Sequence, residues 1–420
     1  MKYHYYPGCS LEYNAAAYHV STLAIAGALG LELLEIDDWN CCGATEYISL
    51  NLAAAYALIA RNLAKAAQNK ATRQVVAPCS ACYLNLRKCD QSMRESPKLD
   101  KKINTALAAG GLAYQAGSLA VRHLLDVVVN DVGYAAIAAK VTRPLKGLRI
   151  APYYGCMIVR PDFEKSREVG SGKWRVGSGE WEAVQSGAST SSARLDKSAA
   201  GQSGAAGQNT ASTSLGRLDK CEYPMTLDIL LKNLGAEVVE YPMKAHCCGG
   251  HMTQISEKTG FEMIRRLIKG AVEYEADLIV TLCPMCQLNL DGFQGAMNRH
   301  FKTKYSMPVL YFTQMIGLAL GMNASDLGIG SELVSSRAAL AKIGVEAPAA
   351  EKPAAAKKAS KEALPMPKMP DPTPALPIAK TSDREGGYPT PALPIAKTGD
   401  REGGVSPARS AAPEIAKSKE

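Results

Sequence analysis

The sequence lacks any long, uninterrupted hydrophobic run. Its longest mainly apolar stretch, residues 15–34, is rich in alanine and is broken by His19, Gly27, Gly30 and Glu32. A helix that crosses a bilayer needs about 20 consecutive, mostly apolar residues. This stretch is better explained as a packed helix that runs into a strand. We therefore expect no transmembrane segment and no direct insertion into a membrane.

The N-terminus lacks the apolar core of a secretory signal. Residues 1–7 read Met-Lys-Tyr-His-Tyr-Tyr-Pro and lead almost directly to Cys9, whereas a signal peptide contains an apolar region of about 7–15 residues. On this ground we expect a cytoplasmic protein. In a reducing cytosol, a cysteine-rich enzyme more often binds metal or performs redox chemistry than builds disulfides.

Basic stretches interleaved with aromatic residues are also missing. The chain of 420 residues has a formal net charge of +8, but part of this charge belongs to a lysine-rich C-terminal tail. Proteins that bind single-stranded nucleic acid combine basic grooves with stacked aromatic side chains. The composition therefore argues against a nucleic-acid partner. The 47% of apolar residues is ordinary for a folded protein, and the length suits two or three domains.

Cysteine, by contrast, occurs in a repeated pattern. Ten of the twelve cysteines form two sets of five, and each set consists of a single cysteine, a Cys-Cys-Gly and a C-x-x-C. The first set is Cys9, Cys41, Cys42, Cys79 and Cys82. The second set is Cys156, Cys247, Cys248, Cys283 and Cys286.

The residues around the cysteines repeat as well. A Tyr-Tyr pair precedes the single cysteine of both copies, and C-x-x-C-x-L-N-L occurs at 79–86 and again at 283–290. The single cysteine and the Cys-Cys pair are 32 positions apart in the first copy but 91 apart in the second. The chain is therefore a tandem duplication in which the second copy carries an insertion.

Two segments have the composition of unfolded polypeptide. Residues 164–220 consist largely of Gly, Ser, Thr, Gln and Ala, and residues 345–420 are rich in Pro, Ala and Lys and repeat Pro-Ala-Leu-Pro-Ile-Ala-Lys. Such sequences bury too little apolar surface to offset the entropy lost on ordering. We predict a disordered insertion and a disordered tail, with a docking segment for a partner as the alternative for the tail.

Strand and helix patterns alternate in both copies. We predict strands at 2–6, 32–36, 74–77, 148–152, 237–241 and 278–282, with helices between them. Further helix is predicted at 99–140, where it joins the copies. In open α/β sheets, ligands collect beyond the carboxyl ends of the strands, and each motif cysteine lies just after a predicted strand. The prediction is an α/β fold of two tandem, pseudo-symmetric half-domains, 1–140 and 141–344, followed by the tail.

The ligand chemistry favours iron–sulfur clusters. Thiolates at C-x-x-C spacing suit either zinc or iron–sulfur clusters, but structural zinc takes four tetrahedral ligands and each set here has five. Side chains that are adjacent in sequence diverge, so Cys41 and Cys42 would reach different metal atoms of an extended cluster. A zinc-binding scaffold without catalysis is the alternative.

In their order, spacing and flanking residues, these motifs resemble the tandem cysteine-rich CCG domain found in the B subunit of heterodisulfide reductase. The resemblance covers residues 1–330 outside the insertion and includes Tyr-Pro-Gly-Cys at 6–9 and Pro-Val-Leu-Tyr-Phe-Thr-Gln at 308–314. It implies that each five-cysteine set binds one non-cubane 4Fe–4S cluster. It also implies that a disulfide, such as that of coenzyme M and coenzyme B, is held between the clusters and reduced to two thiols.

Two motifs of electron-transfer proteins are missing. The chain contains no C-x-x-C-x-x-C-x-x-x-C-P run for cubane clusters and no G-x-G-x-x-G for a flavin or nicotinamide. Electrons are therefore expected from other chains, which the resemblance implies are a ferredoxin-like subunit with cubane clusters and a flavin-containing subunit. The alternative function is a CCG-domain electron-transfer subunit that serves a quinone or an organic-acid oxidoreductase. Such relatives often carry fused ferredoxin motifs, which this chain lacks.

Three further side chains that could take part in the chemistry lie outside the ten-cysteine pattern. His246 precedes the second Cys-Cys pair and is a candidate catalytic proton donor, with a hydrogen bond to cluster sulfur or simple solvation as the alternative. Cys89 and Cys221 lie outside the repeat and are predicted to be inert thiols. The glycines next to the ligands are expected to let backbone amides approach cluster sulfur closely.

Overall fold

The computed structural model describes residues 1–44, 47–159 and 223–348. The predicted insertion at 164–220 lies outside these residues, and so does the predicted tail from 349 onward. All described residues belong to one compact unit. Within them, no helix combines the length and the apolar character needed to cross a bilayer.

Each copy is built around a four-stranded parallel sheet. The first sheet has the order β2-β1-β3-β4, with strands β1 Lys2–Tyr5, β2 Glu32–Glu35, β3 Gln74–Ala77 and β4 Ala120–His123. The second sheet has the order β6-β5-β7-β8, with strands β5 Arg149–Tyr153, β6 Glu237–Val238, β7 Leu278–Thr281 and β8 Val309–Tyr311. Identical strand orders confirm the predicted α/β duplication.

Helices connect and cover the strands. In the first copy they are α1 Cys9–Glu12, α2 Ala16–Leu29, α3 Tyr47–Leu50, α4 Leu52–Gln68, α5 Ser80–Glu95, α6 Pro97–Ala108, α7 Leu124–Val127 and α8 Tyr134–Ala138. In the second they are α9 Thr226–Asn233, α10 Met252–Ile255, α11 Glu257–Glu273, α12 Pro284–Gln287, α13 Gln294–Phe301, α14 Phe312–Ala319 and α15 Arg337–Ala341. Single turns of π-helix follow α7 and α12, at Val128–Gly133 and Leu288–Gly292.

The central strands are buried on both faces. All four residues of β7, Leu-Ile-Val-Thr, are buried, as expected for a parallel sheet that carries helices on both sides. Tyrosines contribute much of the volume of the core, because Tyr3, Tyr5, Tyr6, Tyr18, Tyr153, Tyr154 and Tyr241 are all almost completely buried. The paired tyrosines that end β1 and β5 thus anchor the chain just before each single cysteine.

The helix predicted across 99–140 is wrong in its middle. Strand β4 lies there and pairs in parallel with β3, with Ala77 opposite His123. A four-residue strand, Ala-Val-Arg-His, followed directly by a leucine-rich helical turn is too short for its periodicity to separate it from a helix. Between the strands predicted at 32–36 and 74–77, the structure has the short α3 and the longer α4 in place of one continuous helix. The extended Asn51 separates them and caps α4 by accepting a hydrogen bond from the Ala54 N–H at 3.1 Å.

Candidate metal centres

The loops after the parallel strands carry the motif cysteines. In each copy the single cysteine follows the first strand, the Cys-Cys pair follows the second, and the C-x-x-C follows the third. All strands of one sheet run in the same direction, so these loops meet at one edge. Three pieces that are far apart in the sequence therefore converge in both copies.

In the first copy the five thiols form one hydrogen-bonded series. The Cys9 and Cys41 sulfur atoms are 3.6 Å apart, and those of Cys42 and Cys82 are 3.4 Å apart. The Cys41 thiol also interacts with that of Cys42, and the Cys82 thiol interacts with that of Cys79. The five predicted ligands of the first set are thus all brought together.

The second copy repeats this series in the same order. The Cys156 thiol interacts with that of Cys247, and the Cys247 thiol interacts with that of Cys248. The Cys248 thiol interacts with that of Cys286, and the Cys286 thiol interacts with that of Cys283. The five predicted ligands of the second set are likewise brought together.

The two series meet at their buried ends. The thiols of Cys79 and Cys283 interact with each other, so all ten sulfur atoms form one continuous series of contacts. Cys9, Cys41 and Cys247 are exposed, whereas Cys79, Cys82, Cys283 and Cys286 are buried. The site is therefore open to solvent at both outer ends and closed in the middle.

The opening of the first copy is acidic. A depression of about 500 Å³ gives access to Cys9 and Cys41 and is also lined by Glu12, Glu35, Asp37 and Asp38. Asp38 forms ion pairs with Arg61 and Lys65 at its rim, which offset part of this charge.

The first cysteine of each Cys-Cys pair has a strongly lowered pKa, and in the second series so does the buried Cys283, through its hydrogen bonds to Cys286 and Cys79. Hydrogen bonds from Cys42 and Cys9 lower the pKa of Cys41 to about 2, and hydrogen bonds from Cys156 and Cys248 lower the pKa of Cys247 to about 2. The same contacts raise the pKa of Cys9, which donates to Cys41. Thiolates, and not thiols, bind metals, so each centre already favours the ionised form at the first cysteine of its Cys-Cys pair.

Backbone amides also point at these sulfur atoms. The Gly249 and Gly250 N–H groups donate to the Cys247 and Cys248 sulfurs, both at 3.4 Å. In the first copy the Gly43 N–H donates to Cys41, and the Ala44 N–H is shared between Cys41 and Cys42. Gly43 and Gly249 have φ values of +64° and +101°, a conformation that glycine adopts without the steric cost of a Cβ.

Gly8 and Gly155 are required for a different reason. They precede the single cysteines with φ values of +77° and +69°. A Cβ on Gly8 would lie 2.8 Å from the Cys82 sulfur, and one on Gly155 would lie 2.9 Å from the Cys286 sulfur. Any side chain at these positions would displace a predicted ligand, so the expected close approach of backbone to sulfur is present in both copies.

Asn85 and Asn289 hold the Cys-Cys loops in place, a role that sequence reasoning did not assign to them. The Asn85 side-chain amide donates to the Cys42 carbonyl oxygen at 3.1 Å. The Asn289 amide donates to the carbonyl oxygens of Cys248 at 3.2 Å and Gly250 at 2.9 Å. The signal was present in the repeated C-x-x-C-x-L-N-L, whose asparagine has no other reason to recur.

Tyr18 lies at the junction of the two copies and was not singled out from the sequence. Its hydroxyl donates to the carbonyl oxygens of Pro78 at 2.9 Å and Leu282 at 3.3 Å, the residues just before Cys79 and Cys283. Its ring stacks on Tyr311 with centroids 4.2 Å apart and 6° between planes. No motif contains Tyr18, so no sequence signal marked it.

The remaining candidates lie outside the thiol series. His246 is exposed, and its carbonyl oxygen accepts a hydrogen bond from the Tyr153 hydroxyl at 2.8 Å; its proposed role in proton transfer stays a prediction. Cys89 is buried and donates to the Tyr56 carbonyl oxygen at 3.4 Å. Cys221 lies outside the described residues.

The donor set fits an iron–sulfur group. Each centre presents only sulfur, the donor that such clusters take from proteins, and the sulfur atoms are spread along a series rather than around one point. Within the described part of the chain, no group of three or more His, Cys, Asp or Glu side chains has the arrangement that would hold a single metal ion.

Comparison with known proteins agrees with this duplicated site. The chain matches the family model named CCG, cysteine-rich domain, at residues 3–87 and 214–291. It is 30% identical over 332 residues to the 8-methylmenaquinol:fumarate reductase membrane anchor subunit of Wolinella succinogenes, which covers 79% of this chain and 96% of that protein.

Other relatives carry a different name. The chain is 25% identical over 339 residues to the B subunit of a CoB-CoM heterodisulfide reductase of Methanosarcina acetivorans, over 80% of this chain and 95% of that one. It is 26% identical to a protein of Archaeoglobus profundus that is named as similar to the B subunit of heterodisulfide reductase, over 77% and 92%. A hypothetical protein from Helicobacter pylori has the same fold, with a TM-score of 0.56, 12% identity, 80% of this chain covered and 52% of its own.

Proposed function

The chain belongs to the cysteine-rich CCG domain family, and from that premise we propose that it is the catalytic iron–sulfur subunit of a heterodisulfide reductase-type complex. Its relatives are named as reductase subunits, which supports a role as an oxidoreductase subunit. The observation that carries the proposal is the junction of the two thiol series at Cys79 and Cys283. A disulfide has two sulfur atoms to reduce, and two adjacent centres offer one partner to each.

The proposed cofactors are two non-cubane 4Fe–4S clusters. Their ligands would be the two five-cysteine sets, because each set supplies an uninterrupted series of thiols with two sulfur atoms buried at the junction. When bound, the clusters would supply electrons one at a time. Reduction of a disulfide consumes two electrons and two protons and releases two thiols.

The chain's own residues would position the reacting groups. The Tyr18 hydroxyl contacts the segments that carry Cys79 and Cys283 and so would set the spacing between the centres. The sulfur atoms at the junction, those of Cys79, Cys82, Cys283 and Cys286, are buried and so shielded from water. His246, exposed beside Cys247, would deliver a proton to a departing thiolate.

The electrons would come from other proteins of the same complex. The proposed partners are a ferredoxin-like subunit with cubane clusters and a flavin-containing subunit, since the relatives that are named as B subunits belong to complexes of several chains. The acidic depression that exposes Cys9 and Cys41 gives solvent-side access to the first centre.

A second function is favoured by one specific observation, the 30% identity to the fumarate reductase protein of Wolinella. In that case the same two centres would transfer electrons between a quinol and an organic-acid reductase without binding a disulfide. A zinc-binding scaffold is a third possibility with no catalysis.

One preparation separates the three functions. The protein is purified anaerobically with its partner subunits and analysed for iron, zinc and acid-labile sulfide, and by EPR. We expect iron and sulfide for two four-iron clusters per chain, and thiol release from a panel of disulfides with a low-potential donor. Zinc without iron would contradict both redox functions. Iron with quinol-dependent fumarate reduction, but no thiol release from any disulfide, would favour the second function over the first.

A further inference from the structure

The two centres differ in one side-chain contact to a ligand sulfur. The Asn289 amide has two N–H groups for three acceptors: its nitrogen lies 2.9 Å from the Gly250 carbonyl oxygen, 3.2 Å from the Cys248 carbonyl oxygen and 3.4 Å from the Cys248 sulfur. The N–H that faces Cys248 is therefore shared between the oxygen and the sulfur of that residue. At the equivalent place in the first copy, the Asn85 amide donates to the Cys42 carbonyl oxygen, and among the described residues it makes no such contact with a sulfur. The asparagine of the repeat therefore contacts a ligand sulfur in the second copy but only a carbonyl oxygen in the first.

The backbone donors do not cancel this difference. In both copies the amide two positions after each cysteine of the Cys-Cys pair donates to that cysteine, through Gly43 and Ala44 or through Gly249 and Gly250. Ala44 divides its single N–H between two sulfur atoms, whereas each glycine of the second copy serves one. The side-chain N–H of Asn289 is thus an additional donor for the second centre.

The contact between Asn289 and the Cys248 sulfur is buried, which strengthens the hydrogen bond. Asn289 is 1% exposed and Cys248 is 4% exposed, so water does not compete for the bond and the local dielectric constant is low. The Gly250 carbonyl oxygen, at 2.9 Å, accepts one N–H of the asparagine and so directs the other N–H toward the oxygen and sulfur of Cys248. The donor is therefore present before any electron arrives.

We propose that Asn289 is a positioning residue that makes the second centre easier to reduce than the first. Reduction adds negative charge to the cluster and its sulfur ligands, and a fixed N–H donor stabilises that charge. Hydrogen bonds to sulfur are among the main factors that set the reduction potential of such clusters. This inference rests on the proposed iron–sulfur centres, and it adds an order: the second centre is reduced first, and the first centre, with Asn85 turned to a carbonyl, follows.

The test is a redox titration of the complete, anaerobically purified protein, followed by EPR. Asn289→Leu removes the donor and keeps the number and branching of the side-chain heavy atoms. Asn85→Leu is the matched control, because it removes the same kind of loop bond without a sulfur contact. In Cys286→Ser, the signal that disappears identifies the second centre. We expect two separate potentials in the unaltered protein, the higher one belonging to the second centre.

Asn289→Leu should shift the reduction equilibrium of the second centre about tenfold toward the oxidised form, which is about 59 mV for one electron. Asn85→Leu should shift the potential of the first centre clearly less, because it removes a bond to the loop but no bond to sulfur. Equal shifts in the two variants, or a lower potential for the second centre in the unaltered protein, would overturn the proposal. If Asn289→Leu loses iron, Asn289→Ser, paired with Asn85→Ser, provides the same comparison. Zinc in the unaltered protein would instead overturn the proposed function itself, which metal analysis distinguishes at once.

Discussion

The hydroxyl of Tyr18 in the first copy donates a hydrogen bond to the carbonyl oxygen of Leu282 in the second, at a distance of 3.3 Å. The same hydroxyl donates to Pro78 at 2.9 Å, so one group contacts the chain immediately before both Cys79 and Cys283. Burial raises the pKa of Tyr18, which keeps the hydroxyl protonated and able to donate. The two centres are therefore tied together by a residue that is a ligand of neither.

Removal of this hydroxyl should weaken the junction. Tyr18→Phe keeps the ring that stacks on Tyr311 but leaves the buried Pro78 carbonyl oxygen without this donor, so we expect a loss of about 1–3 kcal/mol in the free energy of unfolding. Denaturant unfolding measures this loss. Tyr13→Phe is the control, because Tyr13 is 80% exposed and its hydroxyl is free to bond to water. Equal stability of the two variants would contradict the role of Tyr18.

A buried ion pair supports the second centre. The Lys244 ammonium lies 2.9 Å from a carboxylate oxygen of Asp228, and their side chains are 1% and 6% exposed. The other Asp228 oxygen accepts from the Tyr154 hydroxyl at 2.7 Å, two residues before Cys156. Lys244→Met would strand the carboxylate and should cost about 3–5 kcal/mol.

Two further variants test this ion pair. Lys269→Met, which breaks an exposed pair with Glu273, should change stability by less than about 1 kcal/mol. The double variant Lys244→Met/Asp228→Leu should recover much of the lost stability, since it leaves no unpaired charge. A double variant that is less stable than Lys244→Met alone would refute the argument from the stranded carboxylate.

Alanine at the glycines before the single cysteines should disturb metal binding. In Gly8→Ala the new Cβ would meet the Cys82 sulfur, and in Gly155→Ala it would meet that of Cys286. We expect each variant to lose iron from its own centre while the other centre is retained, as measured by iron content and EPR. Gly27→Ala, within α2 and with no atom in reach of the added methyl, should bind the normal amount of iron and gain about 0.5–1 kcal/mol in stability.

Two cysteines only seven positions apart should behave in opposite ways. Cys82 bonds to Cys42 within the thiol series, whereas Cys89 donates to the Tyr56 carbonyl oxygen. Cys82→Ser should remove about half of the iron, because it disables one of two proposed clusters. Cys89→Ser should keep the full amount. Loss of iron from Cys89→Ser would show that the ligand sets are wrongly assigned.

Much of the architecture was predictable from local sequence. The six predicted strands lie close to six of the strands that the structure describes, because short runs of aromatic, aliphatic or β-branched residues mark them. The failure at β4 also has a local cause, since four residues carry too little periodicity to distinguish a strand from a helix. The convergence of the cysteines followed from topology alone, because the carboxyl ends of parallel strands share an edge.

The sequence by itself therefore determined the duplication, the two five-cysteine sets and their grouping into two centres, because spacing and repetition are properties of the chain. Only the tertiary structure decided how the centres meet, which is through the Cys79–Cys283 contact and the Tyr18 hydroxyl. It also decided that Asn289 reaches a ligand sulfur while Asn85 does not. The first are contacts between groups distant in sequence and the second is a difference in hydrogen bonding within a repeated loop, and both depend on how the whole core packs.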